Sequence, residues 1–178
     1  MAVIIIEGVV ATGKTALVNA ITQHPAWVSK PTRSVVSEHY TERVLELTNP
    51  TVARRVQLLE RHMTHIRSAH ELWSQYRFQG QPSLAPVTLL ERFHLTHAAQ
   101  VGDFAPFVPI DTELVHFDAA VVFVFHPPEL LLQHILSTEY SRNSMWQRWL
   151  RSLGTDSQIE DYFCRLQENA KLYLSHSR

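Results

Sequence analysis

Gly8 and Gly13 bracket four residues, Val9, Val10, Ala11 and Thr12, and Lys14 and Thr15 follow at once. The spacing is Gly-x-x-x-x-Gly-Lys-Thr, and the chemistry it serves is phosphate binding. Two glycines let the backbone curl until successive N–H groups point inward at anionic oxygens. A lysine adds a mobile positive charge for the β- and γ-phosphates, and a threonine hydroxyl is a ligand for Mg²⁺. The chain has only 5 glycines, and two of them fall at the required places. At ordinary glycine usage the pattern arises by accident in roughly one chain in a few hundred. The predicted nucleotide-binding stretch is therefore Gly8 to Ala16, with Lys14 in a catalytic role and Thr15 on the metal. The alternative is a strand, a turn and a helix with an incidental Lys-Thr.

The motif functions only between a strand and a helix. Val3, Ile4, Ile5 and Ile6 form the β-branched run of a buried parallel strand over 2–7. Behind Thr15, Leu17, Val18 and Ile21 recur at helical spacing, and Pro25 lies just past the end. Further strands are predicted at 33–38, 86–91 and 119–126. A short helix around 41–48 precedes a long one over 51–78, in which Val56, Leu59, Met63 and Ile66 mark the apolar face, with Leu72 and Trp73 continuing it. Residues 101–111 are Pro-punctuated and read as a loop. A helix starts at the Pro127-Pro128 pair, 138–150 is polar and aromatic without clean periodicity, and a last helix runs over 157–174. Strands alternating with helices imply a parallel sheet covered by helices. The whole chain reads as one domain, with a lid near 138–150.

In such sheets ligands sit at the carboxyl ends of the strands. The residues there are Glu7 and Gly8, Glu38 and His39, Glu91 and Arg92, and His126. Phosphoryl transfer needs charge neutralisation, Mg²⁺ and an aligned acceptor. A hydroxyl acceptor also needs a base. Glu38 is the candidate base, Glu91 a candidate metal ligand beside Thr15, and Arg92 a cation for the acceptor or an orienter of Glu38. The competing readings are a solvated Glu38 and a structural Glu91–Arg92 ion pair.

These segments carry a family resemblance. "IIIEGVVATGKT", "VVSEHY" and "LLERFHLTHAAQ" are similar to the thymidylate kinase and deoxynucleoside kinase group of P-loop enzymes. Glu38 matches that group's Glu after the second strand, and Glu91-Arg92-Phe93 matches its acid-Arg triplet after the third. The resemblance implies a P-loop NTPase three-layer α/β sandwich, with a mainly parallel sheet of four or five strands flanked by helices. It implies ATP and Mg²⁺ as cofactors. The acceptor it implies is a small molecule, a nucleoside or nucleoside monophosphate, contacted by Glu38 and Arg92; the alternatives are a kinase of a non-nucleoside small molecule and a regulator that binds ATP without transfer. Arg61, and Gln57 one turn earlier, match the positions that read the base. Arg142, with Arg148 as a second candidate, matches a lid arginine. There are departures: Ser37 and His39 flank Glu38 where thymidylate kinases carry Arg and Pro, and Gln133 and His134 stand where the family carries Arg. After residue 155 only helix is legible, where the family has a fifth strand and a loop gripping the nucleotide base.

Composition excludes several classes. A net charge of −1 gives no reason to expect a nucleic-acid or membrane-surface partner. The single cysteine, Cys164, allows no internal disulfide and fits a reducing compartment. With no signal peptide or apolar span legible, a cytoplasmic enzyme is expected. A neutral hydroxyl acceptor would need Glu38, whereas an anionic monophosphate would need cations, which Arg54, Arg55 and Arg61 on the long helix supply unless Arg54 and Arg55 are merely solvated. His62 with His65, and His94 with His97, are spaced as metal pairs but lack completing ligands. Trp73, Tyr76 and Phe78 fit either a base pocket or the core. Trp146 and Trp149 fit either closure over the nucleotide or a homodimer contact.

Overall fold

A computed structural model describes residues 1–45, 50–75 and 80–177. The β-branched run forms strand β1 (Ala2–Glu7). Strands β2 (Arg33–Val36), β3 (Val87–Glu91) and β4 (Ala120–Phe123) follow. All pairings are parallel, in the order β2-β3-β1-β4. Ile4 lies between Leu89 and Ala120, which fixes the register across the centre. The two outer strands are shorter than the predicted 33–38 and 119–126. Each pairs on one side only, and each alternates between half-buried and exposed residues, whereas β3 is buried throughout.

The period of two sends neighbouring residues of β1 to opposite layers. Val3 and Ile5 join a core with Leu59, Met63 and Ile66 of helix α4, numbered below. Ile6 joins the other core, with Val18, Trp27 and Leu89. That second face is covered by α1 (Lys14–Gln23) and α2 (Pro25–Val28). The first is covered by α4 (Val52–Gln75), α5 (His94–Val101), α6 (Val108–His116) and α9 (Asp156–His176). Between β2 and α4 lie α3 (Glu38–Thr41) and a short 3-10 turn, Arg43–Leu45. After β4 come α7 (Pro128–Glu139) and α8 (Ser144–Ser152), which join α9 in a third core that also takes in Val9 and Val10.

Three expectations are corrected. The helix expected around 41–48 starts earlier, at Glu38, and breaks into the 3-10 turn; 46–49 lie outside the described residues, as do 76–79 at the end of the long helix. Residues 101–111 are not all loop, because α6 opens at Val108 and places Pro109 in its first turn, where a missing N–H costs nothing. The aperiodic 138–150 stretch contains α8, capped by Asn143, whose Oδ1 accepts the Trp146 N–H at 2.8 Å. Its apolar residues Trp146, Trp149, Leu150 and Leu153 do recur at helical spacing, and the aperiodic reading missed it. Among the described residues, no helix is long and apolar enough to cross a membrane.

Candidate active site

The loop between β1 and α1 owes its shape to close approaches. Gly8 has φ +138°, and a Cβ there would lie 2.1 Å from the Val124 carbonyl oxygen. Gly13 has φ +88°, and Ala11 adopts the left-handed region at φ +62°. Thr12 Oγ1 donates to the Val9 carbonyl at 2.9 Å, while Val9 and Val10 pack inward. Gly13 caps α1 without a side-chain hydrogen bond, so the first-turn donors at Lys14, Thr15 and Ala16 remain for an anion. Lys14 is buried, with Nζ donating to the Val9 carbonyl at 2.5 Å. Burial brings its ammonium down to about 7, and the Arg92 guanidinium pushes the same way.

Thr15 and Glu91 meet. Thr15 Oγ1 donates to Glu91 Oε1 at 3.0 Å. The other oxygen of Glu91 accepts the Glu38 N–H at 3.4 Å, so one buried carboxylate joins the phosphate loop to the end of β2. Two hard oxygen ligands in contact are what a divalent cation such as Mg²⁺ uses. Glu38 contacts Arg92 Nε at 3.0 Å, as an ion pair rather than an aligned hydrogen bond. Arg92, at φ +54°, also donates to Glu42 Oε2 at 2.5 Å. Burial alone would lower the Arg92 pKa and raise that of Glu42. Their pairing reverses both, raising Arg92 and bringing Glu42 to about 2. Glu7 stands apart from this set. It is fully buried and accepts the Phe93 and Leu95 N–H groups, both at 3.0 Å, so it caps α5, and burial raises its carboxyl pKa.

No protein-family model matches this chain, and no curated protein matches it. The site is therefore read from its own geometry.

A cleft of about 420 Å³ opens beside the loop. Its lining includes Gly8, Arg92, Thr96 and Gln100, the last two one helical turn apart on α5. Glu38 and Glu42 line one side, and Arg142, Trp146 and Trp149 line the roof. Arg142 lies over the Trp146 ring at 4.6 Å, and both line the cleft. Arg148 is exposed and donates to the Ser144 carbonyl.

Of the long-helix residues expected near the acceptor, the cleft takes one of the cations and neither of the base readers. Gln57 and Arg61 are exposed and do not line the cleft. Arg55 does, donating to His97 Nδ1 at 3.0 Å and to Gln100 Oε1 at 2.5 Å. Burial lowers the Arg55 pKa, against Glu42. His97 lies 2.7 Å from the Thr41 carbonyl through Nε2, which must carry the hydrogen because a carbonyl only accepts. Burial holds this imidazole neutral down to about 4. Among the described residues, no group of three metal-ligating side chains surrounds any of these histidines. His39 is exposed beside Arg43, Trp73 is half-buried on α4, and Tyr76 and Phe78 lie outside the described residues.

Glu42, Arg55, Gln100 and Tyr162 complete the cleft without having been singled out as a set. Two had a legible signal: Glu42 is four residues beyond Glu38, and Arg55 is one of the long-helix cations. Tyr162 had none, since α9 reaches the cleft only through its packing on α5 and α7.

Proposed function

We propose that this protein is an ATP-dependent phosphotransferase of the P-loop kinase type, acting on a nucleoside or nucleoside-like hydroxyl acceptor. One observation carries the reading. Gly8, Val9 and Val10 of the phosphate loop line one cleft together with Glu38 and Arg92, and Glu91 ties the two sides by its bonds to Thr15 and the Glu38 N–H, all behind the ends of three adjacent strands. The residues fit Mg²⁺-ATP: an open anion cradle, a lysine behind it and two hard oxygen ligands. Bound Mg²⁺-ATP supplies the phosphoryl group. Lys14 and the first-turn amides of α1 hold phosphate oxygens. Glu38, fixed by Arg92, takes the proton of the acceptor hydroxyl on its carboxylate. Arg142 adds positive charge from the roof, and the tryptophans exclude water.

A second reading, a nucleoside monophosphate as acceptor, is favoured by Arg43, Arg55, Arg92 and Arg142 all lining the cleft against two glutamates. An anionic oxygen needs cations more than it needs a base. ATP consumption with Mg²⁺ against a panel of nucleosides and monophosphates, beside Lys14→Ala, tests both. Turnover with a nucleoside, abolished in Lys14→Ala, supports the first reading. Turnover with monophosphates alone moves the role to the arginines. No turnover with any acceptor, with ATP still bound, overturns both in favour of an ATP-binding regulator.

A further inference from the structure

The base end of the nucleotide has no seat among the residues assigned so far. We propose that the stacked imidazoles of His126 and His134 form the platform for that base, an inference that rests on the kinase reading for ATP as the donor. Sheet order gives the direction. The acceptor cleft lies against Glu38 and Arg92, at the ends of β2 and β3, and the phosphate loop follows β1. An acceptor has to meet the terminal phosphate. A nucleotide on the loop therefore extends its base away from the cleft, towards β4 on the loop's other side.

The chain leaving β4 carries His126. Its ring is parallel to that of His134 on α7, with centroids 3.9 Å apart and planes 4° apart. His126 is fixed from two directions. Gln167, fully buried, accepts the His126 N–H at 3.2 Å and donates to its carbonyl at 2.8 Å, so both ends of one amide hold one residue. The ring itself is tied to the loop, its Nε2 donating to the Ala11 carbonyl at 3.2 Å. Ala11 is the loop residue in the left-handed region. The imidazole pair is thus registered to the phosphate cradle through the loop's own backbone.

His134 is exposed and His126 half-buried, so the pair presents a flat π-surface to solvent. A purine stacks on such a surface without needing particular polar groups. Metal binding suits the pair less well, because parallel rings keep their nitrogens from converging on one point. Stacking without a polar reader also makes a prediction: ATP and GTP bind about equally.

Calorimetric titration of the full chain with Mg²⁺ and ATP, GTP or inorganic tripolyphosphate tests this. His134→Ala should weaken ATP and GTP about tenfold and leave tripolyphosphate unchanged. His134→Phe, which keeps a ring, should hold ATP within about twofold of the original. Unchanged ATP affinity in His134→Ala, or equal weakening of tripolyphosphate, overturns the platform and leaves the phosphate cradle standing. A protein that binds neither ATP nor tripolyphosphate overturns the kinase reading and the platform with it.

Discussion

The phosphate loop and the acceptor cleft are built in opposite ways. The loop is local: one strand, a turn and the first turn of one helix hold every group from Gly8 to Ala16, with Glu91, His126 and Val124 touching it from outside. The cleft is assembled, with Glu38 and Glu42 from the α3 segment, Arg55 from α4, Gln100 from α5, Arg142 and Trp146 from the α7–α8 region, and Tyr162 from α9. A local site depends on backbone conformation, an assembled one on packing and ion pairs. The two should therefore fail under different insults.

Glu38 stands at the seam, with its N–H on Glu91 and its carboxylate on Arg92. Glu38→Gln keeps the size and the backbone contact and removes the base. For a hydroxyl acceptor, kcat should fall about 10²- to 10⁴-fold while ATP affinity stays within about twofold. Single-turnover kinetics beside nucleotide titration separates the two effects. An unchanged kcat removes Glu38 as the base and leaves the cleft to an anionic acceptor.

Gly8→Ala attacks the local half. The new Cβ would lie 2.1 Å from the Val124 oxygen at a φ of +138°. Backbone strain alone costs about 1–3 kcal/mol, and the clash adds to it. A lowered melting temperature with loss of nucleotide binding is expected, measured by thermal denaturation with and without Mg²⁺-ATP. A variant as stable as the parent would mean that the chain just past β4 yields easily at Val124.

Acid should loosen the assembled half. His97 has its folded pKa lowered from 6.5 to about 4, and Glu42 has its folded pKa lowered from 4.5 to about 2. In each case the unfolded chain binds the proton at higher pH than the folded one. Stability is therefore present above about pH 6.5 and is lost as pH falls, first through the His97 window and then through that of Glu42. The His97 share is of order 2–3 kcal/mol. His97→Gln can donate to Thr41 and accept from Arg55 without titrating, so its stability should be flatter between about pH 6.5 and 4. Denaturant unfolding at several pH values reads this directly, and parallel curves for the two proteins would discard His97 as the acid-sensitive joint.

The same contrast explains what was legible in the sequence. β1, the loop and α1 are consecutive, so period and spacing are sufficient to read them. The Glu38 and Glu91-Arg92 positions were readable because strand ends in a parallel sheet must share one edge, a rule of topology rather than of contact. The sheet's parallel order followed from the alternation of strand and helix. What escaped is what long-range packing decides: that β2 stops at Val36 and that α9 brings Tyr162 to the cleft.

The rotation of α4 is the sharpest case. Val56, Leu59, Met63 and Ile66 do face the core as their spacing implies. That phase turns Gln57 and Arg61, themselves one turn apart, out to solvent, and leaves Arg55 against α5. Resemblance selected the residues by position in a motif, whereas burial selects them by angle around the helix. In the proposed kinase, Arg55→Ala should raise the acceptor KM about tenfold, the usual scale for losing a charged hydrogen-bond donor. Gln57→Ala and Arg61→Ala should each stay within about twofold, as exposed side chains do. A large KM increase in Arg61→Ala with none in Arg55→Ala would mean that α4 turns when the acceptor binds, and that the cleft described here is not the one that reads it.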